Sequence, residues 1–157
     1  MIKHERRDYH VRTKRILVPT DFSDSSDEAL KQALELAKQY NAKVYLLHVA
    51  EPIAQCASDY CLDESTVRQA EDAEVMQAKE MMQKELKKFP EFQEIEVISD
   101  IREGEPVREI LKEQEEKQVD LIVMPSHGKV GFMKRFMGQI SDKVMEEAKS
   151  PVLIVRH

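Results

Sequence analysis

Residues 120–128 read Asp-Leu-Ile-Val-Met-Pro-Ser-His-Gly. Four apolar residues in a row, then proline, serine and glycine, describe a short strand that runs straight into a turn. A half-solvated strand alternates apolar and polar residues. An unbroken apolar run suits a strand covered on both faces, as parallel strands are. This predicts a strand over 120–124. The same signature recurs at 15–20 (Arg-Ile-Leu-Val-Pro-Thr), 43–49 (Lys-Val-Tyr-Leu-Leu-His-Val) and 152–155 (Val-Leu-Ile-Val). Residues 94–101 differ: Ile95, Val97, Ser99 and Ile101 alternate, which predicts a strand with one polar face or at an edge.

Helical periodicity fills the intervals. Ala29, Leu30, Ala33, Leu34, Leu36, Ala37 and Tyr40 share one face of a helix closed by Asn41. Ser25 and Glu28 have capping-box spacing at its start. A long helix over 66–89 has Val67, Ala70, Ala73, Met76, Met81, Leu86 and Phe89 as candidate inner positions, and Pro90 stops it. Gly104-Glu105-Pro106 opens the next helix, with Pro106 near its first position and Val107, Ile110, Leu111 and Val119 as its apolar residues. The charged run from Glu113 to Lys117 reads as a solvated helix face. A last helix is expected around 139–148. Strand–helix alternation of this kind gives a parallel sheet with helices on both faces and right-handed crossovers.

The chain has 157 residues, one domain by length, and needs no covalent staple. Residues 1–14 are polar and mixed in charge, which predicts an arm ahead of a domain over 15–157. Acidic residues outnumber basic ones by 30 to 24. That balance argues against a general nucleic-acid binder, which needs a basic face. Two cysteines, Cys56 and Cys61, are too few for a disulfide framework or a four-ligand zinc site. They read as free thiols of a reducing compartment. No apolar run approaches a membrane span, and the N-terminus carries no secretory h-region, so the expected location is cytoplasmic.

In an open parallel sheet, ligands bind beyond the carboxyl ends of the strands. Three loops there carry chemistry. Pro19-Thr20-Asp21 offers a carboxylate suited to ribose or base hydroxyl and amine groups; Asp21 equally suits a cap for the following helix. His48 near the end of the second strand is either a base or a packed, hydrogen-bonded residue. Residues 124–131 (Met-Pro-Ser-His-Gly-Lys-Val-Gly) lead to Gly138-Gln139-Ile140-Ser141. Three of the four glycines lie between 128 and 138. Glycines let backbone N–H groups approach a phosphate, and a helix N-terminus adds donors and partial positive charge. Neither a Walker loop nor a dinucleotide glycine fingerprint is present.

Val-Pro-Thr-Asp, Leu-Leu-His-Val, Asp-Leu-Ile-Val-Met-Pro-Ser-His-Gly and Ser-Pro-Val-Leu-Ile-Val together resemble the universal stress protein family, over about Lys14 to Arg156. The resemblance implies a single-domain, three-layer α/β/α, Rossmann-like fold with a five-stranded parallel sheet and four helices. It implies a homodimer through the C-terminal strand, Val152, Leu153, Ile154 and Val155. Members that bind ATP or AMP carry glycine, two residues, glycine, nine residues, then glycine followed by serine or threonine. Here the spacing is intact, but Pro125 stands at the first glycine and Gln139 at the hydroxyl position. By resemblance, Pro19 and Asp21 flank the adenosine, Val44 offers backbone to the adenine edge, and Met124 packs on the base. Gly128, Gly138, Ile140 and Ser141 line the phosphates, Lys129 is an extra phosphate contact or a solvated side chain, and Thr20, Ser126, His127 and Gln139 complete the nucleotide-binding set, with magnesium as an accompanying ion.

Two functions follow: a nucleotide-binding, stress-response regulatory dimer, or a nucleotide-free dimer of the same fold that works through protein partners, favoured by Pro125 and Gln139. A hydrolase using Ser126, His127 and Asp21 is the third class. Adjacent Ser and His make no dyad by adjacency, and no metal-ligand cluster is evident.

Overall fold

A computed structural model describes residues 13–50, 52, 63–126 and 136–156. Among them five parallel strands form one sheet: β1 (Arg15–Pro19), β2 (Lys43–Ala50), β3 (Val97–Glu103), β4 (Leu121–Pro125) and β5 (Val152–Val155), in the order β3-β2-β1-β4-β5. Four α-helices connect them: α1 (Asp24–Tyr40), α2 (Glu64–Lys87), α3 (Pro106–Glu116) and α4 (Phe136–Glu147). The α/β architecture expected from the alternation is the one observed.

Side-chain alternation along the strands splits the core in two. Ile16, Val18, Val44, Leu46 and Val123 pack against the inner stripe of α1. Leu17, Tyr45, Leu47, Ile122 and Met124 pack on the other face, against Val107 and Ile110 of α3 and Ile140 and Val144 of α4. Near-zero exposure throughout both clusters explains why the strands read as unbroken apolar runs.

The ends of the helices follow local chemistry. Ser23, not Ser25, caps α1: its hydroxyl accepts the Ser26 N–H at 3.2 Å. Asn41 adopts a left-handed conformation (φ 51°) and closes that helix. Asp63 caps α2 by accepting the Thr66 N–H at 2.7 Å. Glu105 caps α3, with Pro106 at its start. Asp120 Oδ2 accepts the N–H groups of both Lys14 and Arg15 at 2.8 Å, tying the entry to β1 to the entry to β4.

Several expectations need correction. The third strand begins at Val97, because Pro90–Phe92 forms a 3-10 turn and Phe92 still accepts the Ile95 N–H. The strand does lie at an edge. Helix α4 begins at Phe136, a turn earlier than expected. The buried residues of α2 are Ala78, Met82 and Glu85, while Met76 is exposed. The charged run of α3 is not uniformly solvated: Glu113 and Gln114 are buried. Gln114 Oε1 accepts the N–H groups of Lys149 and Ser150, guiding the chain into β5. Among the described residues, no helix is long and apolar enough to cross a membrane.

Candidate functional site

The strand order reverses between β1 and β4: β2 and β3 extend the sheet from one side of β1, and β4 and β5 from the other. The hydrogen-bonded ladders there have unequal lengths. The β1–β2 ladder continues to Pro19↔Leu47, and β4–β5 to Pro125↔Val155. The β1–β4 ladder stops at Leu17↔Ile122. The sheet therefore parts toward its carboxyl end at the switch in strand order, where a ligand crevice belongs.

Two prolines account for the parting. Backbone N–H groups alternate sides along a strand. Thr20 donates to Leu47 on β2 at 2.8 Å, and Ser126 donates to Val155 on β5 at 2.9 Å. The positions before them, Pro19 and Pro125, therefore face each other across the gap. Each lacks the N–H that would make the next rung. Pro125 thus acts twice: it withholds a donor from the crevice, and it keeps β4 from zipping onto β1.

The β1 side of the crevice is tightly built. Thr20 is buried, and every polar group it has is engaged. Its N–H donates to Leu47, its carbonyl accepts from His48 Nδ1 at 3.0 Å, and its hydroxyl donates to Glu85 Oε1 at 2.8 Å while accepting the Phe22 N–H at 3.0 Å. Phe22 takes φ 61° and stacks its ring 4.5 Å from that of His48. A carbonyl only accepts, so His48 Nδ1 carries hydrogen; His48 is a packed, bonded residue. Asp21 is partly exposed. Its Oδ1 accepts from Ser23 N–H at 3.0 Å and from Ser26 Oγ at 2.6 Å, which orients the carboxylate at the head of α1. Asp21 is not the helix cap, which is Ser23; it supports the cap from outside the helix while its carboxylate stays at the carboxyl end of β1.

The β4 side contributes Pro125, Ser126 and the start of α4. Gly138 lies in the first turn of α4, where backbone N–H groups have no partner within the helix. Gln139 is exposed. Ser141 is buried and donates its hydroxyl to the Pro125 carbonyl at 2.9 Å, binding α4 to the end of β4. Ile140 packs in the core, so only its backbone can face a ligand. His127, Gly128, Lys129, Cys56 and Cys61 lie outside the described residues.

Two expected contacts are displaced. Val44 sits at the amino end of β2, fully buried opposite Ile16, with its N–H given to Glu96 at 2.9 Å. It cannot reach the crevice; the carboxyl end of β2 presents His48, Val49 and Ala50 instead. Chain direction alone puts Val44 at the amino end of the Lys43–Val49 run and Val49 at its carboxyl end; the register adds that Val44 lies opposite Ile16. Met124 is fully buried within the core beneath the crevice, so no face of it is open to a ligand. Glu85, a buried acid directly under the crevice, went unrecognised because an apolar reading of α2 passes over it.

Comparison with known proteins is decisive for family. The model of the universal stress protein family matches residues 12–156. The chain belongs to the universal stress protein family. It is 33% identical over 146 residues to universal stress protein MJ0531 of Methanocaldococcus jannaschii, covering 91% of this chain and 82% of that protein. The solved structure of MJ0577, from the same organism, superposes with a TM-score of 0.77 at 29% identity, covering 93% of this chain and 97% of that one. A universal stress protein of Archaeoglobus fulgidus, solved in complex with dAMP, superposes at TM-score 0.64 and 19% identity, covering 90% and 96%. At that identity the likeness speaks to the fold. Among the described residues, no group of three or more His, Cys, Asp or Glu side chains is arranged to hold a metal ion.

Proposed function

We propose that this universal stress protein binds an adenine nucleotide, ATP or AMP, in the crevice between the carboxyl ends of β1 and β4, and acts as a cytoplasmic, stress-response regulatory dimer. The parting of β1 from β4 behind Pro19 and Pro125 carries this reading, because it leaves an open backbone-lined cleft at the switch in strand order. Asp21 stands at one wall for the ribose hydroxyls. The first turn of α4 stands at the other, with N–H donors and the positive end of the helix dipole for phosphate. Pairing through β5 is supported by its position at the sheet edge and by Leu153, 39% exposed on a four-residue apolar strand. The groups at the β1 wall hold geometry: Thr20 and His48 bind each other and their neighbours.

Calorimetric titration of ATP, ADP and AMP into nucleotide-stripped protein, with and without magnesium, tests the reading. Micromolar binding is expected, weakened at least about tenfold (~1.4 kcal/mol) by Asp21→Ala. Sedimentation of the same sample reports the dimer. Absence of heat at millimolar ligand, or binding indifferent to Asp21, sinks the proposal.

The nucleotide-free alternative has its own support: Ser141 gives its hydroxyl to Pro125 rather than to the crevice, and Pro125 offers no N–H. A direct comparison follows. Pro125→Gly returns one donor to the crevice, and is expected to tighten AMP or ATP binding by about tenfold. Unchanged or weaker binding in a folded variant would show that the restored N–H does not serve the ligand and is taken up by pairing with β1 or faces away.

A further inference from the structure

Glu85 lies on the inner stripe of α2 with Ala78 and Met82, 2% exposed. One of its oxygens, Oε1, accepts the Thr20 hydroxyl; the other, Oε2, is buried without a hydrogen-bond partner. Asp27, on α1, shows the matching defect. Its Oδ2 pairs with Lys88, and its Oδ1 is buried without a partner. Asp27 is close enough to Glu85 to push its carboxyl up, and Lys88, which pairs with Asp27, acts on both groups. With both ionised, two negative charges would share a single lysine, and two buried acceptors would lack a donor. One proton on Glu85 Oε2, donated to Asp27 Oδ1, satisfies both atoms and removes the surplus charge.

We infer that Glu85 and Asp27 share one proton, and that this pair is a positioning device for the Pro19–Thr20–Asp21 segment at the wall of the crevice. The link is Thr20. Its hydroxyl is aimed by Glu85 and in turn receives the Phe22 N–H, which sets the turn on which Asp21 sits. Burial first, and then repulsion from Asp27, push the Glu85 carboxyl up to about 7, against the opposing effects of the Thr20 hydroxyl and Lys88. Among the described residues, the charged and titratable groups on the surrounding elements are few. They are Asp24 and Asp27 on α1, Lys88 beyond the end of α2, His48 on β2 through Thr20, and exposed Glu103 on the same face of β3. Loss of the shared proton near neutrality leaves Lys88 alone against two carboxylates and loosens the Thr20 anchor. The consequence for ligand rests on the nucleotide reading of the crevice: affinity falls as pH rises through neutrality.

The test uses the full chain without ligand, by carboxyl and amide NMR across pH 4 to 9. The Glu85 carboxyl is expected to titrate near neutrality, with the Thr20, Asp21 and Phe22 amides moving at the same midpoint. Asp27→Asn lowers that midpoint. Glu85→Gln, whose amide can donate to Asp27 while accepting from Thr20, abolishes the amide step and keeps the fold. It also retains His48, so a step arising from that imidazole would survive in it. A Glu85 midpoint among ordinary carboxylates, or loop amides that ignore it, overturns the inference. ATP titration at pH 6 and pH 8.5 then separates the two proposals. Wild type should bind at least about threefold more weakly at the higher pH, and Glu85→Gln equally at both. Coupled titration without ATP binding at either pH removes the nucleotide reading and leaves the shared proton standing. ATP binding that is equal at both pH values in wild type overturns the claim that the pair positions the binding wall.

Discussion

Arg102→Met is expected to lower the stability of the fold by about 3–5 kcal/mol, a large fraction of what a domain of this size possesses. Arg102 projects from the edge strand β3 onto α3. Its Nε donates to Glu113 Oε2 at 2.7 Å, and its terminal nitrogens reach Glu109 and Glu116. Glu113 is fully buried, and its other oxygen has no partner. Burial disfavours the guanidinium charge, but hydrogen bonds to Glu116 and Glu113 outweigh it and hold Arg102 above the ordinary arginine range. Removing Arg102 leaves Glu113 as an uncompensated buried charge beneath the sheet. The magnitude belongs to that orphaned charge and not to the pair itself, so Arg102→Met combined with Glu113→Leu should recover most of the loss. Urea unfolding of wild type, single and double variants measures this. A single-variant loss below about 1 kcal/mol would show that Glu113 finds relief elsewhere.

The second large effect is in pH. An acid whose folded value is raised binds its proton more tightly in the native state than in the unfolded chain. Its contribution to stability is therefore fully present below the unfolded value and is lost as pH rises through the folded one. For Glu85 that window runs from the ordinary 4.5 to about 7. At about 1.4 kcal/mol per unit, the fold should lose about 3 kcal/mol by pH 8 from this group. Glu85→Gln removes the titration while keeping the shape. Wild type and variant are expected to have similar unfolding free energies near pH 4.5, and the variant should be more stable by about 3 kcal/mol at pH 8. Taking the difference between the two cancels the pH dependence of every other carboxylate. Parallel stability curves across this range would mean that Glu85 is ionised in the native state without cost.

Most of the architecture was legible because parallel strands, covered on both faces, leave continuous apolar runs. The runs at 15–20, 43–49, 120–124 and 152–155 each correspond to an observed strand, within a residue at most ends. The failures share a cause. At α2 and α3 the buried positions include Glu85, Glu113 and Gln114. Each is buried by virtue of a partner from another element: Thr20, Arg102, and the backbone of Lys149 and Ser150. No periodicity of apolar residues reveals a polar side chain that becomes satisfied only in the fold.

The candidate site divides the same way. Pro19-Thr20-Asp21 and Pro125-Ser126 could be assigned to the carboxyl ends of strands from sequence, because each follows an apolar run and parallel order fixes which end faces the crevice. By the same rule Val44 lies at the amino end of β2 and Val49 at its carboxyl end; the register adds only their partners, Ile16 and Arg102. Pro125 shows the difference most clearly. Sequence alone determined that it has no N–H and so departs from the glycine that the family resemblance implies for a nucleotide site. Only the tertiary structure decided that its missing donor faces that of Pro19, because the side to which a backbone group points depends on strand parity and on which strand lies alongside. The composition of the chain thus settles which elements form and where they stop. The pairing of distant elements settles which buried acids are tolerated, which hydroxyls are engaged within the fold, and where the sheet opens.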